Sequence, residues 1–238
     1  MQPLYPILDV EAAAAGGHDL VACAQRFAAL GLDLQQLRAK CLPDREFLDL
    51  AQRLAAVVPQ LIINDRADIA LLSGAAGVHV GQDDLPVTTV RALHLAAAWR
   101  SPERQRADPA GNRSAHSKRP TGATRANSGE PHWRVGASTH SLEQARATMA
   151  MNPDYLAIGP IYPTRTKRNP DPVVGCTMVR AMRELTDKPL VAIGGIQLHN
   201  CAAVWRAGAD AVAVISGLWS ADDPISAARQ FLLAFARV

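Results

Sequence analysis

Short, almost wholly apolar runs recur along the chain, and each is followed by a longer stretch with apolar positions at helical spacing. The short runs, read as strands, are residues 4–8, 32–37, 61–63, 77–80, 133–136, 155–158, 190–193 and 211–215. They are nearly all apolar, as expected where both faces of a parallel sheet are covered. The longer stretches, read as helices, are 20–30, 44–57, 67–72, 88–97, 142–149, 176–185, 199–207 and 225–236. Strict alternation of eight strands with eight helices predicts an α/β chain with a parallel sheet. In this length it predicts a (β/α)8 TIM barrel, taken as one domain over residues 1–238. A doubly wound open sheet is the competing arrangement, but no G-x-G-x-x-G follows the first strand.

One stretch breaks the alternation. Residues 101–131 hold no Val, Ile, Leu, Met, Phe, Tyr or Trp. Such a stretch cannot bury enough surface to offset its ordering entropy, so it is expected to be a disordered insertion between the fourth helix and the fifth strand. Its six basic residues against three acidic ones account for the whole formal excess of +3. The rest of the chain is formally neutral, so no nucleic-acid partner is expected and the insertion reads as a solvated loop.

Apolar residues make up 48% of the chain and aromatics only 5%, which suits helices packed on a parallel sheet. No apolar run approaches the length of a membrane-spanning helix, so no membrane partner is expected. The opening MQPLYPILDVE reaches acids without a basic region, unlike a signal peptide. Cys23, Cys41, Cys176 and Cys201 form no C-x-x-C pair, which points to reduced thiols and a cytoplasmic location. Nothing in the pattern specifies an oligomeric state.

In such barrels chemistry is carried by the loops after the strands. After strand two, QLRAK places Gln36, Arg38 and Lys40 on one side of an extended segment and Leu37 and Ala39 on the other. After strand three, INDR offers Asn64 and Asp65 either as a helix cap or as a phosphate contact and a cation ligand. After strand four, VHVGQDDLP offers His79, a core histidine on its apolar surroundings, and Asp84. Asp65 and Asp84 follow neighbouring strands, so their carboxylates are expected to converge, as two carboxylates do when magnesium is held with substrate phosphates. After strand five, GASTHS offers Ser141 to start a helix and leaves Ser138 for a ligand; a Ser138–His140 nucleophilic pair has no support beyond sequence proximity. After strand six, PTRTK interleaves Thr164 and Thr166 with Arg165 and Lys167, a combination suited to phosphate. After strands seven and eight, IGGI and VISGL bring Gly194, Gly195, Ile215, Ser216 and Gly217, where backbone approaches an anion closely. The mouth thus carries two anion-binding regions.

QLRAK, INDR, GVHVGQDDLP, STHS, GPIYPTRTK, VAIGGI and AGADAVAVIS, in this order, resemble the successive signatures of the thiamine phosphate synthase family over almost the whole chain except 101–131. The resemblance implies joining 4-amino-2-methyl-5-hydroxymethylpyrimidine diphosphate to 4-methyl-5-(2-hydroxyethyl)thiazole phosphate, with loss of diphosphate through a dissociative carbocation. It implies Mg2+ at Asp65 and Asp84, and diphosphate contacts from Arg38, Lys40, Asn64 and Lys167. Gln36 would address the pyrimidine and Ser138 would stand near the departing diphosphate. Thr164 and Thr166, with backbone near Gly195, Ile215 and Ser216, would hold the thiazole phosphate. Catalysis would rest on Arg38, Lys40, Ser138 and Lys167. The thiazole nitrogen attacks with a lone pair, so no general base is required. RNPDPVVGC, residues 168–176, is a less familiar continuation of the sixth loop. The alternatives are a thiazole tautomerase on the same fold, which has no need of the full cation and carboxylate set, and a non-catalytic phosphate-ligand sensor.

Overall fold

The computed structural model describes residues 1–99, 133–164, 166 and 171–238. The expected insertion, residues 101–131, lies outside the described residues, as do Arg165, Lys167 and residues 168–170. The eight strands are β1 (Leu4–Asp9), β2 (Leu34–Arg38), β3 (Gln60–Asn64), β4 (Gly77–Val80), β5 (Arg134–Thr139), β6 (Tyr155–Ile158), β7 (Leu190–Ile193) and β8 (Ala211–Val214). All are parallel and close in sequence order, with β1 joined to β8. Ten described helices accompany them: α1 (Val10–Ala15), α2 (Leu20–Ala29), α3 (Asp44–Ala55), α4 (Ala67–Ser73), α5 (Val87–Trp99), α6 (Leu142–Ala150), α7 (Gly175–Leu185), α8 (Cys201–Arg206), α9 (Ser216–Trp219) and α10 (Pro224–Phe235). Two of these, α1 and α9, fall where the sequence pattern predicts only loop.

The strand pattern divides the core in two. Leu4 and Leu8, Leu37, Leu61 and Ile63, Val78 and Val80, and their equivalents face the helices. Tyr5 and Ile7, Leu34, Ile62, Tyr155, Val191, Ala211 and Ala213 fill the barrel interior. This is the period-2 alternation of strands, hidden in the sequence because both faces are apolar. Two tyrosines enter one barrel because small residues stand opposite. A Cβ on Gly136 would meet the Tyr155 ring 2.0 Å away.

Helix starts follow ordinary chemistry. Asp19 accepts from Val21 and Ala22 backbone N–H at the start of α2, Ser141 accepts from Gln144 at α6, and Asp223 with Pro224 opens α10. The seam between the chain's early and late parts is tied by indoles. Trp219 Nε1 donates to the Ile7 carbonyl at 2.7 Å and Trp205 Nε1 to the Pro3 carbonyl at 3.1 Å. Among the described residues no helix is long and apolar enough to cross a membrane.

Candidate active site

Parallel closure sends the C-terminal ends of all eight strands to one mouth, and those predicted site residues that the structure describes gather there. Asn64 ends β3, and the chain then makes a three-residue turn in which Arg66 N–H returns to the Asn64 carbonyl at 2.8 Å. Its central residue, Asp65, has φ of 64°. That left-handed conformation is costly for a residue with a side chain, and it persists at functional positions where surrounding structure enforces it. Asp65 N–H is held by the His79 carbonyl of β4 at 2.7 Å. The reading of Asn64 and Asp65 as a simple helix cap fails, because α4 opens on Arg66 with no side-chain cap.

The Asp65 carboxylate pairs with the Lys40 ammonium. Asp84, in the next loop, accepts from Gly81 N–H at 2.7 Å. Burial pushes the Asp84 carboxyl up from its ordinary value, and the adjacent Asp65 charge pushes it further, against the Gly81 hydrogen bond. The two carboxylates therefore converge as expected. A cation between them would relieve their repulsion, and the Lys40 ammonium already occupies one side. Among the described residues no group of three or more His, Cys, Asp and Glu side chains is arranged for a metal. A divalent cation held here would complete its shell with other oxygens, as magnesium does with phosphates.

Gln36 and Arg38 lie within β2 rather than after it. Arg38 is paired with Asp9, which is 2% exposed and also accepts from Ala12 N–H to cap α1. Sequence reasoning missed Asp9. Its signal was an acid ending an apolar strand just ahead of an Ala-rich run, the pattern of a helix cap.

Ser138 takes no part in capping the next helix, which Ser141 starts, but its hydroxyl has a partner within the barrel. Its Oγ is 2.8 Å from His79 Nε2, and its carbonyl accepts from Gln82. His140 is engaged elsewhere, with Nδ1 2.6 Å from the Gly159 carbonyl oxygen and Nε2 3.5 Å from Asp171 Oδ2, so no Ser138–His140 pair exists. His79 is the satisfied core histidine expected. Its Nδ1 lies 3.1 Å from the Tyr155 hydroxyl, and burial pushes its pKa down to about 4. Tyr155 continues to the Tyr5 hydroxyl at 3.0 Å, which receives Gln36 Nε2 at 3.2 Å. Both tyrosines were read only as apolar strand residues.

Across the mouth, Thr164, Thr166, Gly195 and Ser216 line a cavity of about 610 Å3 that also reaches Arg38 and Asp9. Asp65, Asp84 and Ser138 do not line it and stand on the β3–β5 side. Gly194 and Gly195 have φ of 100° and 63°. The following loop is pinned by Asn200, which donates to the Gly195 carbonyl at 3.1 Å and accepts from Gln197 N–H at 2.8 Å. Gln197 Nε2 then reaches Ser216 Oγ at 2.9 Å, joining the β7 and β8 loops. Ile215 lies between β8 and α9, where its carbonyl accepts from Leu218 and Trp219. Gln197 and Asn200, like Asp9, were not picked out from the sequence.

Fold and mouth together define a (β/α)8 barrel with cations, carboxylates and close-approach glycines arranged around one opening. The family model described as thiamine monophosphate synthase matches residues 4–99 and 118–218. The thiamine-phosphate synthase of Koribacter versatilis (strain Ellin345) is 42% identical over 212 residues, spanning 88% of this chain and 83% of that one. The thiamine-phosphate synthase of Chloroflexus aurantiacus is 37% identical over 221 residues, covering 93% and 81%. Among solved structures, thiamine phosphate pyrophosphorylase from Pyrococcus furiosus superposes with a TM-score of 0.74 at 25% identity, covering 99% of this chain and 96% of that one. The chain belongs to the thiamine monophosphate synthase family.

Proposed function

We propose that the chain is a transferase that joins 4-amino-2-methyl-5-hydroxymethylpyrimidine diphosphate to 4-methyl-5-(2-hydroxyethyl)thiazole phosphate, releasing thiamine phosphate and diphosphate. Membership of the family supports the reaction. The observation that carries the site is the division of one mouth into two regions. The Lys40–Asp65–Asp84 cluster lies on the β3–β4 side, and the Thr164–Gly195–Ser216 cavity lies opposite, with Arg38 reaching that cavity from β2. Two anionic substrates fit such a division.

In this reading Gln36 addresses the pyrimidine from within the barrel. Arg38 and Lys40 neutralise the diphosphate, Asn64 orients it through its amide, and Ser138 donates to it as it leaves. Lys167, outside the described residues, joins this set on its place in the PTRTK motif. Asp65 and Asp84 would hold Mg2+, which when bound offsets charge on the leaving diphosphate. Thr164 and Thr166 with backbone at Gly195, Ile215 and Ser216 hold the thiazole phosphate, so its ring nitrogen faces the cation formed as the CH2–O bond breaks. Charge stabilisation and positioning are the two terms such a reaction needs, and no side chain has to remove a proton.

The test is one reaction containing purified protein, both substrates and magnesium, assayed for thiamine phosphate and diphosphate with and without chelator. Magnesium-dependent product supports the proposal. Binding of thiazole phosphate without product overturns it in favour of a tautomerase or a ligand sensor.

A further inference from the structure

The barrel interior carries an unbroken chain of polar groups that an apolar core does not require. Gln36, Tyr5, Tyr155 and His79 are 5%, 1%, 0% and 6% exposed, so solvent does not interrupt them. Their contacts run Gln36 Nε2 to Tyr5 Oη at 3.2 Å, Tyr5 Oη to Tyr155 Oη at 3.0 Å, Tyr155 Oη to His79 Nδ1 at 3.1 Å, and His79 Nε2 to Ser138 Oγ at 2.8 Å. The chain therefore begins at the residue assigned to the pyrimidine and ends at the one assigned to the leaving diphosphate.

Proton counting gives the chain a direction. Each phenol has one proton, and a neutral imidazole has one N–H. With the Gln36 amide donating to Tyr5, the Tyr5 proton goes to Tyr155 and the Tyr155 proton goes to His79 Nδ1. The single imidazole N–H is then on Nε2 and donates to Ser138 Oγ. Ser138 keeps its own proton for a ligand. If the amide turns its oxygen toward Tyr5, every bond reverses. The Ser138 proton is then used on His79 Nε2, and the hydroxyl offers a lone pair, which repels an anion. Only the first state suits a departing diphosphate, and it leaves the Gln36 carbonyl oxygen for the pyrimidine's amino group.

We infer that Tyr5, Tyr155 and His79 form a hydrogen-bond relay through which the pyrimidine, by fixing the Gln36 amide, sets Ser138 as a donor to the leaving diphosphate. These three are positioning residues; Ser138 makes the contact. The inference rests on the proposed synthase reaction and on the roles given there to Gln36 and Ser138.

A double-mutant cycle in the full-length protein tests the relay. Tyr155→Phe removes one oxygen and should lower kcat about tenfold, the order of one hydrogen bond, with the KM for thiazole phosphate unchanged. In a Ser138→Ala background the same substitution should change kcat less than about twofold, because the relay no longer has an end. Equal effects in both backgrounds, or no effect of Tyr155→Phe on the parent protein, would overturn the relay. So would a Ser138→Ala protein with parental kcat. Tyr5→Phe, one step earlier, replaces Tyr155→Phe if that protein does not fold, with the same expectation. A parent protein that makes no thiamine phosphate refutes the underlying reaction, whereas an active parent with additive substitutions refutes the relay alone.

Discussion

Replacing Gly195 by Ala examines how the two halves of the thiazole-phosphate region fit together. The added methyl would stand 2.4 Å from the Pro163 carbonyl oxygen and 2.8 Å from both Tyr162 Cβ and the Tyr162 carbonyl oxygen. Ordinary contact begins near 3.4 Å, so the loop after β6 must retreat by 1 Å, the difference between 3.4 and 2.4 Å. Holding Ala at a φ of 63° costs about 1–2 kcal/mol. Overpacking adds about 1–3 kcal/mol, for a total destabilisation of about 2–5 kcal/mol. The same retreat carries Thr164 away from Ser216, and a misplacement of about 1 Å can cost on the order of 100-fold in rate. Steady-state assays should therefore show kcat/KM for thiazole phosphate reduced by about that factor, with the KM for the pyrimidine diphosphate little changed. Urea unfolding supplies the stability loss. Gly74→Ala is the control, since φ there is 76° and a Cβ would meet nothing within 4 Å. It should lose only the conformational part of the stability and no turnover. A Gly195→Ala protein with parental stability and parental kcat/KM for thiazole phosphate would refute the reasoning.

Three further outcomes follow from the charged and buried groups. Asp9→Asn keeps a good helix cap but leaves Arg38 without its anionic partner, and urea unfolding should show a loss of about 3 kcal/mol; an unchanged midpoint would refute the pairing. Asp65→Asn should shift the magnesium titration of turnover to higher concentration, and an unmoved titration would remove Asp65 from that role. Burial lowers the folded pKa of His79 to about 4 from 6.5, so the unfolded chain binds the extra proton between those values. Its contribution to stability is complete above pH 6.5 and declines by about 3 kcal/mol as pH falls to 4, a slope that His79→Gln should flatten in urea titrations.

The barrel was legible because its strands are short, apolar and spaced by amphipathic helices. β4, β6 and β7 occupy the residues expected for them, 77–80, 155–158 and 190–193. β5 runs three residues further than its apolar pattern, since Ser138 and Thr139 pair with Ala157 and Ile158 of β6 although their side chains look like loop. The helices α1 and α9, of six and four residues, are too short to display a period. Within the site, Asp65 and Asp84 could be brought together on paper because neighbouring parallel strands end side by side. The Ser138–His79 contact could not, because it depends on register. His79 stands opposite Gly136, which brings the side chain two residues onward within reach of its ring. Asp9 and Arg38 meet across 29 residues, and each taken alone has an adequate local explanation.

Barrel closure also sets a schedule for synthesis. β1 completes its pairing only when residues 212–214 of β8 arrive beside Leu4, Tyr5 and Pro6. At ribosomal rates of about 5–20 residues per second, about 10–40 seconds separate the emergence of the two strands. Until then β1 presents a strand edge capable of pairing with a neighbouring nascent chain. Residues 101–131 lie between the two strands in sequence. Their translation alone prolongs that exposure by about 2–6 seconds.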